Sequence, residues 1–336
     1  MRSAPFAILS LVAALHGPCA PAQTAGPYDP LALAVPPTKA KFEWTVHDDQ
    51  RNRDLPVRVF LPTSTAPAPV ILFSHGLGGT RDTCTYLGEH WSRRGYAVVF
   101  VQHPGSDESV WKSLPMRDVM PAMKKAANGK NLMLRCEDIA VVLDQLKVWN
   151  DAKEHECSGR LDLEHIGMSG HSFGAMTTQV VGGEQLPLLG AKYTDVRIDA
   201  ALALSPSVPK GMAAARAFGN VQIPWMLMTG TEDVSPIGDQ DAQSRQQVYP
   251  ALPTTIDRCE LVLFGGTHGA FTDRAVRGQS RNDNHHRVIL ALSTAFFDAN
   301  LRGDAAAKAW LAGDGARSVL QPKDHWQFAE KGPARQ

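Results

Sequence analysis

Five consecutive residues carry the strongest chemical signal in this 336-residue sequence, Gly170-His-Ser-Phe-Gly174. They match the pattern Gly-x-Ser-x-Gly, in which a serine stands on a sharp turn between a strand and a helix. The flanking sequence fits such a turn, because an apolar run (166–169) precedes it and a helical pattern (175–181) follows. Glycine on both sides leaves room for a strained backbone. The pattern predicts Ser172 as a nucleophile beside a helix N-terminus, where free N–H groups favour negative charge.

A serine hydroxyl becomes a useful nucleophile only when a base accepts its proton. The predicted base is His268, which lies between glycines directly after an apolar run at 261–264. A loop of this kind can carry an imidazole towards Ser172. His285 and His286 are weaker candidates, because they lie in or near the predicted last helix (286–301).

The base itself needs a carboxylate that orients the imidazole and stabilises its charged form. Asp233 follows the apolar run 225–229 and is the predicted acid, with Glu232 and Asp239 as rivals. Serine, carboxylate and histidine acting together would perform acyl transfer through a covalent intermediate.

The oxyanion formed in acyl transfer needs fixed hydrogen-bond donors. The backbone N–H of Phe173 is the predicted first donor, and that of Leu77, in the glycine-rich loop 74–79, is the second. That loop matches neither of the common phosphate-binding glycine patterns. The predicted substrate-pocket residues are Trp111, Val234 and Ile237.

The elements that must position these residues follow from apolar patterning. Alternating runs at 42–46 and 57–61 predict an antiparallel hairpin, and continuous apolar runs predict strands buried on both faces of a parallel sheet. The predicted helices between them place strand and helix in alternation. The predicted fold class is α/β, with a mostly parallel eight-stranded sheet, helices on both faces and an antiparallel N-terminal hairpin. The predicted divisions are a signal peptide (1–22), an extended segment (23–41), one domain (42–302) with a lid-like insertion (105–130), and a C-terminal tail (303–336).

Arg2, the apolar stretch 6–15 and the small residues at 20–22 are typical of a cleavable signal peptide, so the protein is predicted to be secreted or periplasmic. Removal of that peptide leaves four cysteines, an even number that suggests two disulfide bonds in an oxidising compartment. Three pairings are possible. Topology favours Cys84 with Cys136 and Cys157 with Cys259.

Charge and apolar run lengths restrict the partners. Lys plus Arg and Asp plus Glu are both 34, so the basic excess typical of nucleic-acid-binding proteins is missing. The N-terminal apolar stretch 6–15 is too short to span a membrane and no other stretch reaches that length, so stable membrane insertion is not predicted. The expected partner is a small-molecule substrate, and the sequence does not predict an oligomeric state.

Three segments together resemble one branch of the α/β-hydrolases: Phe73-Ser-His-Gly-Leu-Gly78, the run from Gly95 to His103, and Gly170-His-Ser-Phe-Gly174. This branch contains platelet-activating-factor acetylhydrolases and predicted dienelactone hydrolases, and it is related to bacterial polyester hydrolases. The resemblance covers about 42–300. It implies an α/β-hydrolase fold and hydrolysis of short-acyl carboxylic esters with no metal and no organic cofactor. The chain order Ser172, Asp233, His268 is the order of that fold.

Two departures limit what the resemblance implies. Dienelactone hydrolases use a cysteine nucleophile, so Ser172 gives no ground for lactone specificity. The vertebrate acetylhydrolase carries its acid after the sixth strand, where this chain reads Ser205-Pro-Ser207 and offers no carboxylate. Asp233, one strand later, is therefore preferred. The predicted function is a secreted serine esterase; the alternatives are a polyester or amide hydrolase with the same three residues, and a non-catalytic binding domain.

Overall fold

The structure, a computed structural model, describes residues 27–33, 41–273 and 282–333. The strands in these ranges are β1 Lys41–Asp48, β2 Arg53–Phe60, β3 Ala68–Ser74, β4 Ala97–Val101, β5 Leu161–His171, β6 Ala200–Leu204, β7 Trp225–Glu232, β8 Arg258–Thr267 and β9 His325–Ala329. The α-helices are α1 Thr85–Arg93, α2 Met116–Ala126, α3 Gly129–Asp151, α4 Phe173–Val181, α5 Ala214–Phe218, α6 Ala242–Arg245, α7 Val248–Ala251, α8 Asp283–Leu301, α9 Ala305–Ala312 and α10 Asp314–Ser318.

The strands form one sheet in the order β1-β2-β4-β3-β5-β6-β7-β8-β9. β1 and β2 make the predicted antiparallel hairpin, with Trp44 opposite Val57, and β2 is also antiparallel to β4. Every neighbouring pair from β4 through β8 is parallel. The predicted fold class is therefore confirmed.

The sheet of the described residues has nine strands, whereas eight were predicted from the sequence. The difference arises because the chain returns to the sheet after α10, where β9 pairs antiparallel with β8. Trp326 anchors the added strand: it is buried, and its indole N–H donates to the carbonyl of Leu311 at 3.1 Å. A single five-residue strand far from its partner has too short a pattern to be recognised in sequence.

Two apolar layers cover opposite faces of the sheet. Side chains alternate along β4, so that Phe100 joins one layer and Val99 the other. The first layer packs under α1 and α8, and the second under α3 and α4. Helices thus lie on both faces, as the continuous apolar runs predict.

The four described cysteines are all free and buried. Cys84 and Cys259 belong to the layer under α1 and α8, whereas Cys136 and Cys157 belong to the layer under α3 and α4. The predicted disulfides Cys84–Cys136 and Cys157–Cys259 are therefore wrong. Each bond would have to join cysteines on opposite faces of the sheet, and the distance across the sheet is far beyond the reach of a disulfide bond.

The predicted signal peptide (1–22) lies outside the described residues, as does part of the extended segment (23–41). Where the extended segment is described, the Tyr28 hydroxyl donates to Asp298 in α8 at 2.7 Å. In the described ranges no helix is both long enough and apolar enough to cross a membrane.

Candidate active site

Ser172 stands on the turn between β5 and α4, where the sequence pattern predicts it. Its backbone has φ 58° and ψ −114°, a left-handed conformation that costs a non-glycine residue about 1–3 kcal/mol. The residue is partly exposed. The N–H groups of the first turn of α4 have no partner within the helix, so this end of α4 favours negative charge beside the hydroxyl.

The glycines of the pattern are required because the backbone of two other segments lies where a side chain would be. A Cβ on Gly174 would overlap the carbonyl of Ser74 in β3, and a Cβ on Gly170 would overlap the carbonyl of Gly174. Backbone atoms of a central strand cannot rotate away as a flexible side chain can.

We expect Gly174→Ala to lower the free energy of unfolding by about 1–3 kcal/mol or more, because α4 must move away from β3. Urea unfolding measures this loss. Gly129→Ala is the matched control, since a Cβ there meets open space at the start of α3. A Gly174→Ala variant as stable as the unsubstituted protein would contradict the close approach of α4 to β3.

The structure brings the three predicted residues together at the carboxyl ends of the parallel strands. His268 Nε2 lies 2.9 Å from Ser172 Oγ, and His268 Nδ1 lies 2.6 Å from Asp233 Oδ1. An ionised carboxylate only accepts hydrogen bonds, so Nδ1 carries the ring proton and Nε2 accepts from the serine hydroxyl. This arrangement can remove the hydroxyl proton while the carboxylate holds the ring.

Asp233 is fully buried and keeps its charge through three donors. Besides the His268 ring, the Thr229 hydroxyl donates to Oδ2 at 2.9 Å and Arg245 Nε lies 3.0 Å from Oδ1. Burial alone would raise the pKa of Asp233, but the hydrogen bond from His268 and the charge of Arg245 outweigh it and lower that pKa. The carboxylate is consequently ionised in the neutral range.

The competing candidates lie outside this arrangement. Glu232 is exposed at the end of β7, and Asp239 makes a surface ion pair with a lysine. The rings of His285 and His286 each donate to a backbone carbonyl at 3.1 Å.

The loop after β3 lies directly beside Ser172. A Cβ on Gly76 would come within 3.4 Å of the Ser172 Cβ, so the backbone of this loop passes next to the hydroxyl-bearing turn. Leu77, the predicted second donor, is the next residue, and Gly78 has φ 71°, which only glycine adopts without strain. Phe173, the predicted first donor, is the first residue of α4.

The same loop is bonded to the start of the 105–130 insertion. The N–H of Gly78 donates to the carbonyl of Ser106 at 2.8 Å, and the N–H of Glu108 donates to the carbonyl of Gly79 at 3.1 Å. The indole N–H of Trp111 donates to the carbonyl of Gly78 at 2.8 Å. The first residues of the insertion therefore hold the loop in place.

A buried guanidinium lies beneath the loop 74–79, and no sequence pattern indicates it. Arg135 of α3 is fully buried and donates to Thr177 Oγ1 at 3.0 Å, to Ser106 Oγ and Ser74 Oγ at 2.9 Å each, and to the carbonyl of His75. Burial lowers the pKa of Arg135 to about 9, which still leaves it cationic near neutral pH. One side chain thus joins β3, the insertion and α4.

A second serine–histidine–aspartate chain lies under the loop and is wholly buried. The Ser74 hydroxyl is 2.9 Å from His103 Nε2, and His103 Nδ1 is 2.9 Å from Asp138 Oδ2. Burial and the charge of Arg135 lower the pKa of His103 to about 4, so the ring is neutral. The backbone N–H of His103 in turn donates to His75 Nε2 at 3.1 Å. Because no part of this chain reaches solvent, it can position the loop but cannot meet a substrate.

The three predicted pocket residues have different surroundings. Trp111 is 38% exposed, and its indole N–H donates to the carbonyl of Gly78 in the loop 74–79. Val234 directly follows the acid and is 60% exposed, so it lies at the rim. Ile237 is partly buried and its N–H donates to Ser235 Oγ at 3.2 Å, without a described contact to the three site residues.

Two further site residues lacked a recognised signal in the sequence. His171 stands inside the Gly-x-Ser-x-Gly pattern, and its Nε2–H donates to the carbonyl of His268 at 3.0 Å. Burial, and then the neighbouring His268, lower the pKa of His171 to about 3, so its ring is neutral. Arg245 of α6 contacts Asp233, and nothing in the local sequence distinguishes it from a surface arginine.

One known protein family matches part of this chain, in agreement with the α/β fold and with the glycine-rich loop 74–79. A family model described as platelet-activating factor acetylhydrolase, isoform II, matches residues 54–155, just under a third of the chain. The predicted resemblance is thereby confirmed, and the match indicates a hydrolase of the lipase or esterase kind. The matched segment contains the loop 74–79 and ends before Ser172. A search of curated proteins gives no match to the chain.

Proposed function

We propose that the protein is a serine hydrolase that cleaves carboxylic esters with short acyl groups. The observation that carries the proposal is the pair of hydrogen bonds from Ser172 Oγ to His268 (2.9 Å) and from His268 to Asp233 (2.6 Å). The family match at 54–155 supports hydrolase chemistry independently, because it rests on a different part of the chain.

In the proposed reaction Ser172 Oγ attacks the ester carbonyl while its proton passes to His268 Nε2. The carbonyl oxygen becomes an oxyanion and accepts hydrogen bonds from the backbone N–H groups of Phe173 and Leu77. The tetrahedral intermediate expels the alcohol, which takes the proton from His268, and the acyl group remains on the serine. Water then attacks the acyl-enzyme through the same base, and the acid product leaves with Ser172 restored.

Asp233 acts through the ring of His268. Its carboxylate fixes the tautomer that has the proton on Nδ1, and it stabilises the imidazolium that forms in each step. The strained turn at Ser172 and the pinned loop at 74–79 support the proposal further, because catalysis needs donors fixed before the charge appears.

Labelling with a fluorophosphonate probe tests the nucleophile. We expect stoichiometric modification that peptide mass spectrometry locates on Ser172 and that a pre-bound ester substrate slows. No labelling of folded protein would favour the non-catalytic binding domain, whereas labelling on another serine would reject Ser172 as the nucleophile.

A panel of substrates tests the bond and the acyl group. We expect the highest kcat/KM on short p-nitrophenyl esters, with lower values on long-chain esters, on the matched anilide and on polyester film. The expected preference for short acyl groups rests on Trp111, which is bonded to the loop that passes beside Ser172 and is proposed to narrow the acyl pocket. A preference for the film or the anilide would replace the short-ester assignment by the polyester or amide hydrolase while keeping the three residues.

A further inference from the structure

Arg245 is buried beside the proposed catalytic residues although it touches no substrate position. It is the last residue of the short helix α6 and is 2% exposed. A reciprocal pair of bonds between Asp241 and Ser244 starts this helix and fixes where it turns. The long side chain is thereby directed inwards, under the carboxyl ends of β6 and β7.

The guanidinium of Arg245 joins two loops. Its Nε donates to the carbonyl of Asp233 and lies 3.0 Å from Asp233 Oδ1, on the loop after β7. Its Nη1 donates to the carbonyls of Ser205 and Pro206 at 2.9 Å each, on the loop after β6. These bonds hold the loop that carries the proposed acid against the neighbouring loop.

The charge of Arg245 also acts on the base. Its Nη2 lies 3.3 Å from His268 Nδ1, whose proton is directed at Asp233, so the two N–H groups face each other without a hydrogen bond. Asp233 and Arg245 together carry no net charge. When His268 accepts the serine proton, the cluster of Asp233, Arg245 and His268 therefore changes from neutral to positive. Without Arg245 the charged ring would instead form a neutral ion pair with Asp233, which is more favourable in a buried site.

On the basis of the proposed function, we propose that Arg245 is a positioning residue that holds Asp233 in place and opposes the charging of His268. The base then stays unprotonated, and the enzyme active, at a lower pH than it would without the arginine.

Within the described residues, few other titratable or charged groups face the ring of His268. The titratable and charged side chains described as facing its ring are Asp233 from the loop after β7, Arg245 from α6 and His171 from the end of β5. His171 lies 4.8 Å from the His268 ring centre, and it is neutral in the assay range because burial lowers its pKa to about 3. Removing the charge of Arg245 therefore changes one of the two charges that act on the base.

The test compares Arg245→Met and Arg245→Lys in pH profiles of kcat/KM on a short p-nitrophenyl ester. We expect the acid limb of Arg245→Met to move to higher pH by about one unit, since a like charge within about 4–6 Å is removed. Arg245→Lys keeps the positive charge but loses the pair of hydrogen bonds to the carbonyls of Ser205 and Pro206. We expect its acid limb at the unsubstituted position, with kcat about tenfold lower and KM unchanged.

A purely structural arginine would give another result. Arg245→Met would then lose kcat at every pH with its acid limb unmoved, and this outcome would overturn the proposal. If Arg245→Met does not fold, Arg245→Gln takes its place, because glutamine also lacks the charge and its acid limb should move in the same direction. Arg197→Met is the control, since that arginine pairs with Asp195 and Asp144 away from the site and should leave the profile unchanged.

A readout without substrate separates this inference from the proposed esterase activity. The ¹⁵N shifts of the His268 ring report its protonation in the unsubstituted protein and in both variants, whether or not they hydrolyse an ester. We expect protonation of the ring at higher pH in Arg245→Met than in the unsubstituted protein. Equal titration in both would overturn the role of Arg245, whereas absent ester turnover with unlabelled Ser172 would count against the proposed function alone.

Discussion

Ser172→Ala lowers kcat on a short p-nitrophenyl ester by about 10⁶, the size of loss expected when the nucleophile of such a triad is removed. The loss is large because His268 and Asp233 activate the Ser172 hydroxyl, and the alanine side chain offers no nucleophile in its place. KM should change little, since the hydroxyl forms its new bond only after the substrate is bound. The measurement is a progress curve at high enzyme concentration on freshly purified protein.

Ser113→Ala is the matched control, because Ser113 is an exposed serine of the insertion that lies outside the proposed machinery. It should keep kcat within about twofold, as expected for a surface change away from special contacts. Ser172→Ala should unfold at nearly the same urea concentration as the unsubstituted protein, because alanine keeps the same Cβ at φ 58° and loses only one partly exposed hydrogen bond. Retention of a tenth or more of kcat in Ser172→Ala would exclude the acyl-enzyme mechanism.

Arg135→Met should lower the free energy of unfolding by about 3–5 kcal/mol, the range found when one partner of a buried charged network is removed. Methionine fills similar space but donates nothing. Ser74, Ser106 and the carbonyl of His75 would each lose the donor that the guanidinium supplies. Because these residues form or adjoin the loop 74–79, kcat should fall as well in whatever fraction stays folded.

Urea unfolding followed by tryptophan fluorescence and by circular dichroism measures this change. Lys147→Met on the same helix is the control: it removes an exposed pair with Asp151 at 3.0 Å and should cost no more than about 0.5 kcal/mol. A loss below about 1 kcal/mol for Arg135→Met would mean that water replaces the guanidinium, and that the region beneath the loop is more open than the structure indicates.

The residues that the sequence predicts well are those governed by local turn chemistry and chain order. Gly170 and Gly174 mark a turn that no other residue type permits, so Ser172 could be located from five letters. His268 and Asp233 could be found because parallel strands bring the loops after β7 and β8 to one edge. Neither inference needed a contact between side chains.

The residues that the sequence could not predict act through contacts that span the chain. Arg135 bonds to Ser74 and Arg245 to Ser205 across separations of 61 and 40 residues, mostly through oxygens that every serine or peptide offers. No pattern of residue types records such contacts. The wrong cysteine pairs have a related cause: chain topology indicates which edge of the sheet each cysteine is near, but not the face on which its thiol lies.

The bonds between loop 74–79 and the start of the insertion bear on how this scaffold can be re-engineered. Residues 106–111 are tied to Gly78 and Gly79, whereas α2 begins only at Met116 and carries exposed apolar side chains. Grafts that exchange substrate preference between related scaffolds should therefore be spliced after Trp111. A transplant cut at 105 would remove the residues that hold the loop of the proposed active site together with the variable segment.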